Sequence, residues 1–240
     1  MDSTALLTEG PARLGLVAAF WWEVRPMLKK QREVRRLGRR LYALTLHNAP
    51  VVLAISGAGP ENACRAAQEL VRQFPLRGLV SVGFAGGLSE SLQPGELVLA
   101  DSVIEEKSHE RFICDEMLLP IASGQRGGLL SVSDVLHSPD QKRRLGTRWG
   151  ALAADMESAG VARAARDAEL PFGALKSITD SSGESIAIDF QRCRSDDGGL
   201  SSWKIVREGL ASPQSLLDLW RLAGNSRRAA GTLALALGSA

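Results

Sequence analysis

Cysteine is scarce in this 240-residue sequence, which holds three: Cys64, Cys114 and Cys193. An odd set without CxxC spacing argues against a disulfide framework and against a zinc site, so no metal is expected. No apolar run approaches the roughly 18 residues of a membrane span, and the first residues lack the basic and apolar segments of a signal peptide. A net charge of +2 argues against a dedicated nucleic-acid binder. These absences predict a cytoplasmic globular protein.

The composition is that of a protein with a sizeable core. Hydrophobic residues make up 45% of the chain and charged residues 23%, which are ordinary proportions for a globular domain. Since domains usually hold about 100–200 residues, one large domain is the simplest interpretation. We expect a short disordered leader over residues 1–12 and a single domain over 13–240, whose last part, from about 200 to 240, is a C-terminal helical extension.

Strand-like and helix-like segments alternate along the chain, which predicts an α/β fold with a largely parallel sheet covered on both faces. The expected strands are Arg13–Phe20, Tyr42–His47, Val51–Ile55, Leu79–Val82, Glu96–Val103, Leu129–Val132, Ala151–Ala154 and Phe172–Ile178. The expected helices are Glu23–Arg36, one from the Ser56–Pro60 stretch to Gln73, Pro139–Leu145, Glu157–Glu169, Ser202–Gly209 and Pro213–Arg228.

Polar or glycine-rich residues follow four of the expected strands, at Ser56–Gly59, Gly83–Gly87, Asp155–Glu157 and Thr179–Asp180. In open α/β sheets, ligands bind beyond the carboxyl ends of the strands. With Glu23 after the first strand, the topology predicts that three acids, Glu23, Glu157 and Asp180, meet in one pocket. Asp155 has a simpler alternative role, because acids at helix N-termini are favoured as caps.

The glycine-rich stretches are weak evidence when each is taken alone. Gly83–Gly87 lacks the GxGxxG spacing of a dinucleotide site and is followed by no P-loop lysine. A tight turn between a strand and a helix is the plainer interpretation of either stretch. Only their combination with the acidic positions points to a ligand.

Four motifs in this order resemble the nucleoside phosphorylase superfamily, which includes purine nucleoside phosphorylases and methylthioadenosine/S-adenosylhomocysteine nucleosidases. They are SGAGPENA at Ser56–Ala63, VGFAGGL at Val82–Leu88, ADMESAGVARAA at Ala154–Ala165 and SITD at Ser177–Asp180. The tail, Arg194–Gly198 and SPQSLLDLWRLAGNSRRA at Ser212–Ala229, resembles the hopanoid-associated phosphorylases, which are thought to release adenine from adenosylhopane. The resemblance implies a three-layer αβα fold with a mixed, mostly parallel central sheet and, as usual in this superfamily, a homo-oligomer.

The resemblance also implies a role for each matching residue. Asp180 would donate a proton, or a strong hydrogen bond, to N7 of the departing adenine, and burial would keep a proton on that acid. Glu23 would position or deprotonate the attacking water, and Glu157 would bind the ribose hydroxyls. The remaining substrate-binding positions would be Met156, Thr179, Ser56, Gly57, Gly59, Phe84, Ala85 and Gly86. No cofactor is implied.

Two departures from the family pattern concern the nucleophile. Ser81 stands where phosphorylases of the superfamily commonly have an arginine, which favours water over phosphate unless Arg111 or Arg192 substitutes. Inorganic phosphate therefore stays open as a co-substrate. Phe84 replaces a small polar residue common in the nucleosidases, and no aromatic stands where the base is usually stacked; Val135 or Leu136 lies near that place.

Several functions remain open from the sequence. The leading one is cleavage of an adenine nucleoside, with adenosylhopane-type substrates ahead of smaller 5′-substituted adenosines such as methylthioadenosine. A nucleoside-binding module without turnover is the second. The predicted helix Pro213–Arg228 has an apolar face that either docks on the core or makes peripheral contact with a membrane. The basic stretch Lys29–Arg40 is interpreted as a solvated helix face.

Overall fold

A computed structural model describes residues 11–119, 121, 123–186 and 213–238 of the chain. Within these residues, ten strands form one sheet: β1 Arg13–Ala18, β2 Val34–Arg36, β3 Leu41–Leu46, β4 Ala49–Ile55, β5 Leu76–Gly87, β6 Leu97–Glu105, β7 Arg111–Ile113, β8 Gln125–Ser131, β9 Ala151–Asp155 and β10 Phe172–Asp180. The five α-helices in this part of the chain are α1 Trp21–Lys30, α2 Pro60–Gln73, α3 Pro139–Trp149, α4 Ser158–Asp167 and α5 Pro213–Gly238.

The sheet runs in the order β10-β6-β8-β9-β5-β1-β4-β3-β2, and β5 also pairs with β10. Five strands therefore close into a ring, from which β1, β4, β3 and β2 extend as an open sheet. Strand β5 is parallel to β1 and β10 but antiparallel to β9. The predicted mixed sheet is confirmed, although antiparallel pairings are as frequent among the described strands as parallel ones.

Helices cover both faces of the sheet, which confirms the predicted three-layer α/β fold. Alternate residues of a strand point to opposite faces, and β1 shows the result. Leu14 and Leu16 lie in a core cluster with α1 and α5, whereas Val17 lies in a second cluster with α2 and α4. Because both faces are buried, the residues of β1 after Arg13, Leu14–Ala18, form a continuous apolar run.

Two sequence expectations about secondary structure are wrong. The helix predicted over Glu23–Arg36 ends at Lys30, and Val34–Arg36 pairs antiparallel with β3 instead. The basic stretch Lys29–Arg40 is therefore spread over a helix end, a strand and a turn. The Gly83–Gly87 stretch is not a loop, because it pairs with β10 and β9 and forms the end of β5.

The C-terminal helix is longer than its predicted span of Pro213–Arg228 and continues to Gly238. Its last turns bury Leu233, Ala234 and Leu237 in the cluster shared with α1. In the part of the chain that the structure describes, no helix is long and apolar enough to cross a membrane. The predicted helix Ser202–Gly209, and the expected leader apart from its last two residues, lie outside the described residues.

Candidate active site

A cavity of about 500 Å³ opens where the ends of β1, β5, β9 and β10 meet, and α5 lies along its side. Gly86 of β5 explains the meeting point, because it is paired with Asp180 of β10 and with Ala154 of β9. The structure brings the three predicted acids to this cavity. Of the predicted site residues, its lining contains Glu23, Phe84, Ala85, Gly86, Met156, Glu157, Thr179 and Asp180.

Glu23 lies in the first turn of α1 and is buried. Its Oε2 accepts a hydrogen bond from the backbone N–H of Phe20 at 2.9 Å, and its Oε1 accepts one from the N–H of Phe84 at 3.2 Å. Gly83 makes room for this carboxyl group, since a Cβ atom there would lie 2.9 Å from Oε2. Burial, followed by repulsion from Glu157, raises the pKa of Glu23 to about 7. Near neutral pH this side chain can therefore take up or release a proton.

Glu157 follows β9 and points to the same part of the cavity. Its Oε1 accepts a hydrogen bond from the N–H of Gly59 at 2.9 Å, and burial, followed by repulsion from Asp155, raises its pKa to about 6. Asp155 accepts from the backbone N–H of Ser158 at 3.0 Å, as its interpretation as a helix cap predicts. The two acids of this motif thus have different tasks.

Lys176 is a buried cation that the sequence analysis missed. Its Nζ donates to Ser81 Oγ at 2.9 Å and forms an ion pair with Asp155 Oδ2 at 2.8 Å. Burial alone would lower its pKa, but the carboxylates of Asp155, Glu157 and Glu23 raise it above the ordinary value. The lysine therefore stays charged among the three carboxyl groups. A lysine within the otherwise apolar segment Phe172–Ile178 was the signal available in the sequence.

Asp180 lies at the other side of the cavity and is also buried, but beside an ammonium group. Lys142 Nζ of α3 donates to Asp180 Oδ2 at 2.5 Å, and Thr179 Oγ1 donates to Oδ1 at 2.8 Å. Gly86 allows the close approach of β5, since a Cβ atom there would lie 3.0 Å from Oδ2. The sequence predicts that this acid is buried, but it gives no sign of Lys142.

Three predicted binding residues lie outside the lining of this cavity. Ser56 turns its hydroxyl back to the backbone carbonyls of Gly57 and Ala18, and neither Ser56 nor Gly57 lines the cavity. Gly59 reaches it only through Glu157 and borders a smaller cavity of about 380 Å³. Ala58 is the residue of that loop that lines the cavity, so direct contact of Ser56, Gly57 and Gly59 with a ligand stays a prediction.

The remaining wall of the cavity is mainly apolar. It includes Phe20, Trp22, Val135, Leu136, Ile186, Leu219, Leu222 and Ala223. Phe20 and Trp22 stack with ring centroids 4.4 Å apart, and Trp22 is 42% exposed, so it stands at the mouth. Arg111 is exposed on β7 and absent from the lining, whereas Arg192 lies outside the described residues.

Comparison with known proteins finds relatives both in sequence and in fold. The chain is 25% identical over 207 residues to 5′-methylthioadenosine/S-adenosylhomocysteine nucleosidase of Oceanobacillus iheyensis, covering 75% of this chain and 90% of that one. The fold is similar to the same-named nucleosidase of Helicobacter pylori, with a TM-score of 0.68, 18% identity and coverage of 94% and 96%. Futalosine hydrolase of Helicobacter pylori is similar too, with a TM-score of 0.67, 19% identity and coverage of 92% and 95%.

The family assignment does not depend on these pairwise similarities alone. The model of the phosphorylase superfamily matches residues 5–196, which confirms the family predicted from the motifs. The prediction of an enzyme is confirmed with it, because the relatives are named as nucleosidases. The chain belongs to the phosphorylase superfamily.

Proposed function

We propose that this protein hydrolyses the N-glycosidic bond of a 5′-substituted adenosine and releases adenine. The observation that carries the proposal is the meeting of Glu23, Glu157 and Asp180 around one cavity. The names of the relatives support it, since they are nucleosidases of 5′-methylthioadenosine and S-adenosylhomocysteine.

The chemistry follows from the charges that develop as the bond breaks. When the C1′–N9 bond cleaves, its electron pair goes to the base and positive charge builds on the ribose, as in glycoside cleavage. Glu157 binds the ribose hydroxyls beside the developing cation, and Met156 packs against the sugar. Glu23 takes a proton from water as its oxygen bonds to C1′, and Asp180 passes a proton to N7. General acid catalysis of this kind typically contributes about 10²–10⁴-fold.

Water is the nucleophile that the local charges favour. Three carboxyl groups, on Glu23, Asp155 and Glu157, surround the single ammonium of Lys176, so an anion meets net repulsion there. A neutral water meets none and finds a base in Glu23. Phosphorolysis is the second candidate, and Arg227 favours it, because this cation of α5 also lines the cavity.

The 5′ substituent is proposed to be apolar and large, as in adenosylhopane, ahead of methylthioadenosine. Leu219, Leu222 and Ala223 of α5 and Trp22 of α1 form an apolar wall that ends in the half-exposed tryptophan. A small methylthio group would leave part of this wall uncovered. A long hydrocarbon group would cover the wall and continue past Trp22.

An adenine-release assay with and without phosphate tests the reaction. We expect adenine from 5′-substituted adenosines without phosphate, with the 5-substituted ribose as the other product. A 5-substituted ribose 1-phosphate that appears only with phosphate would instead establish phosphorolysis. Binding of adenosine analogues in calorimetry without any adenine release would favour the non-catalytic binding module. Peripheral membrane contact through α5 and homo-oligomer formation stay predictions, which sedimentation with anionic liposomes and light scattering test.

A further inference from the structure

Lys142 makes three contacts that the proposed mechanism has not yet used. Its ammonium donates to Asp180 Oδ2 at 2.5 Å, to the carbonyl of Ser181 at 2.9 Å and to the carbonyl of Glu184 at 2.8 Å. An ammonium has three N–H donors, so these acceptors satisfy all of them. The Lys142 side chain is 1% exposed and that of Asp180 6%, which removes the pair from bulk water. The acid expected to protonate the base therefore receives a charged hydrogen bond from a buried lysine.

We propose that Lys142 supplies the proton that Asp180 passes to N7 of the leaving base, an inference that rests on the proposed function. As the C1′–N9 electron pair moves to the base, the Asp180 carboxylate takes a proton from the Lys142 ammonium and gives a proton to N7. Lys142 becomes a neutral amine, Asp180 remains a carboxylate, and Glu23 holds the proton taken from water. The net charge is unchanged, and Lys142 and Glu23 regain their starting states by exchange with solvent after product release.

The contacts of Lys142 suit this role better than that of a permanent cation. The amine formed after proton transfer keeps two N–H groups, and these still match the two backbone carbonyls. Lys142 acts through Asp180 and is thus a positioning residue of the site.

Two other titratable groups near this pair, Glu184 and His137, have partners of their own. The carboxylate of Glu184 accepts from the N–H of Ser181 at 2.8 Å and lies 3.6 Å from Arg221 Nε of α5. His137 Nδ1 lies 2.9 Å from the carbonyl of Ile186. These contacts hold the segment that follows Asp180 against α3 and α5, so the lysine and its acceptors stay in register.

The test compares two leaving groups on the same sugar. Adenine needs a proton to depart, whereas 4-nitrophenolate is a stable anion without one. Wild type, Lys142→Met and Lys142→Arg are assayed with 5′-methylthioadenosine and with the 4-nitrophenyl riboside that carries the same 5′ group. Arg143→Met is the matched control, because Arg143 is the next residue of α3 and is exposed. Circular dichroism checks the fold of each variant.

We expect Lys142→Met to lower kcat for adenine release by about 10²-fold or more and to leave nitrophenol release near the wild-type rate. Arg143→Met should change neither. Lys142→Arg keeps a cation but cannot lose its proton in a protein, so it should stay as impaired as Lys142→Met. Restored adenine release in Lys142→Arg, or equal loss of both products in Lys142→Met, would overturn the inference.

If the wild type cleaves neither substrate, the proposed function itself has failed. A second measurement, of the protonation state of Asp180 before any reaction, still tests the role of Lys142 in that case. The infrared difference spectrum between wild type and Asp180→Asn at pH 7 should show an ionised carboxylate for Asp180. A protonated carboxyl band would overturn the role of Lys142 as the proton source.

Discussion

Replacement of Glu23 by glutamine is expected to abolish activity and, at the same time, to remove a loss of fold stability that accompanies a rise from pH 5 to pH 8. Burial raises the pKa of Glu23 from 4.5 to about 7, and one pKa unit corresponds to about 1.4 kcal/mol. The folded protein therefore bears a cost of about 3 kcal/mol when this carboxyl group is ionised. Glutamine has nearly the same shape and carries no charge, so it avoids that cost.

The sign of the pH dependence follows from proton binding. Below pH 4.5 the carboxyl group is protonated in both the folded and the unfolded chain. Between 4.5 and about 7 the folded chain keeps a proton that the unfolded chain has lost, so stability falls as the pH rises. Above about 7 the loss is complete. The wild type should thus lose about 2–3 kcal/mol relative to Glu23→Gln between pH 5 and pH 8.

Urea unfolding at pH 5 and pH 8, followed by tryptophan fluorescence, measures this difference. Glu33→Gln is the control, because Glu33 is exposed and its replacement should leave the pH dependence of stability unchanged. The hydrogen bonds that glutamine makes less well to the N–H groups of Phe20 and Phe84 cost the same at both pH values. A stability difference between wild type and Glu23→Gln that does not change with pH would refute the assignment.

Three further predictions concern the proton donor Asp180, Gly83 of β5 and Leu222 of the apolar wall. Asp180→Asn should lower adenine release by about 10²–10⁴-fold with an unchanged circular dichroism spectrum; full activity would contradict its role. Gly83 has a φ of +144°, and the Cβ of Gly83→Ala would lie 2.9 Å from Glu23 Oε2. We expect this variant to have a lower kcat but still to bind an adenosine analogue, as measured by calorimetry. Leu222→Ser should raise KM for a long apolar 5′ group and leave KM for methylthioadenosine nearly unchanged; equal effects on both would exclude this wall as the 5′ site.

The sequence predicted the parts of the site that follow from strand order. Glu157 and Asp180 come at or just after the ends of strands with clear apolar patterns, and Glu23 follows the first strand, so topology alone brought them together. The glycines were assigned less well. Gly83–Gly87 has the composition of a turn, yet its backbone groups pair with two neighbouring strands, and such long-range pairing overrides local preference.

The two buried lysines, Lys176 and Lys142, differ in how far the sequence could predict them. Lys176 left a signal, because a charge within a buried strand needs a partner. Lys142 left none, since it lies in the polar run Gln141–Arg144 that predicts an exposed helix. Its burial arises when Ser181 and Glu184, about forty positions later, fold over it. The local pattern of polar and apolar residues cannot predict a contact between residues so far apart in the chain.

The two ends of the cavity carry different charges. At one end, Glu23, Asp155 and Glu157 outnumber Lys176, the one cation there among the described residues; under the proposed function this favours a positive ribose and a neutral water. At the other end, Lys142 and Asp180 together are neutral and present a proton, which favours a base that is gaining electrons. When neighbouring acids lie in different environments, their proton affinities differ. One site can therefore hold both an acid and a base near neutral pH. Since both ends act on the same bond, exchanging Lys142 for a residue without a proton should cost most for the leaving group that most needs one.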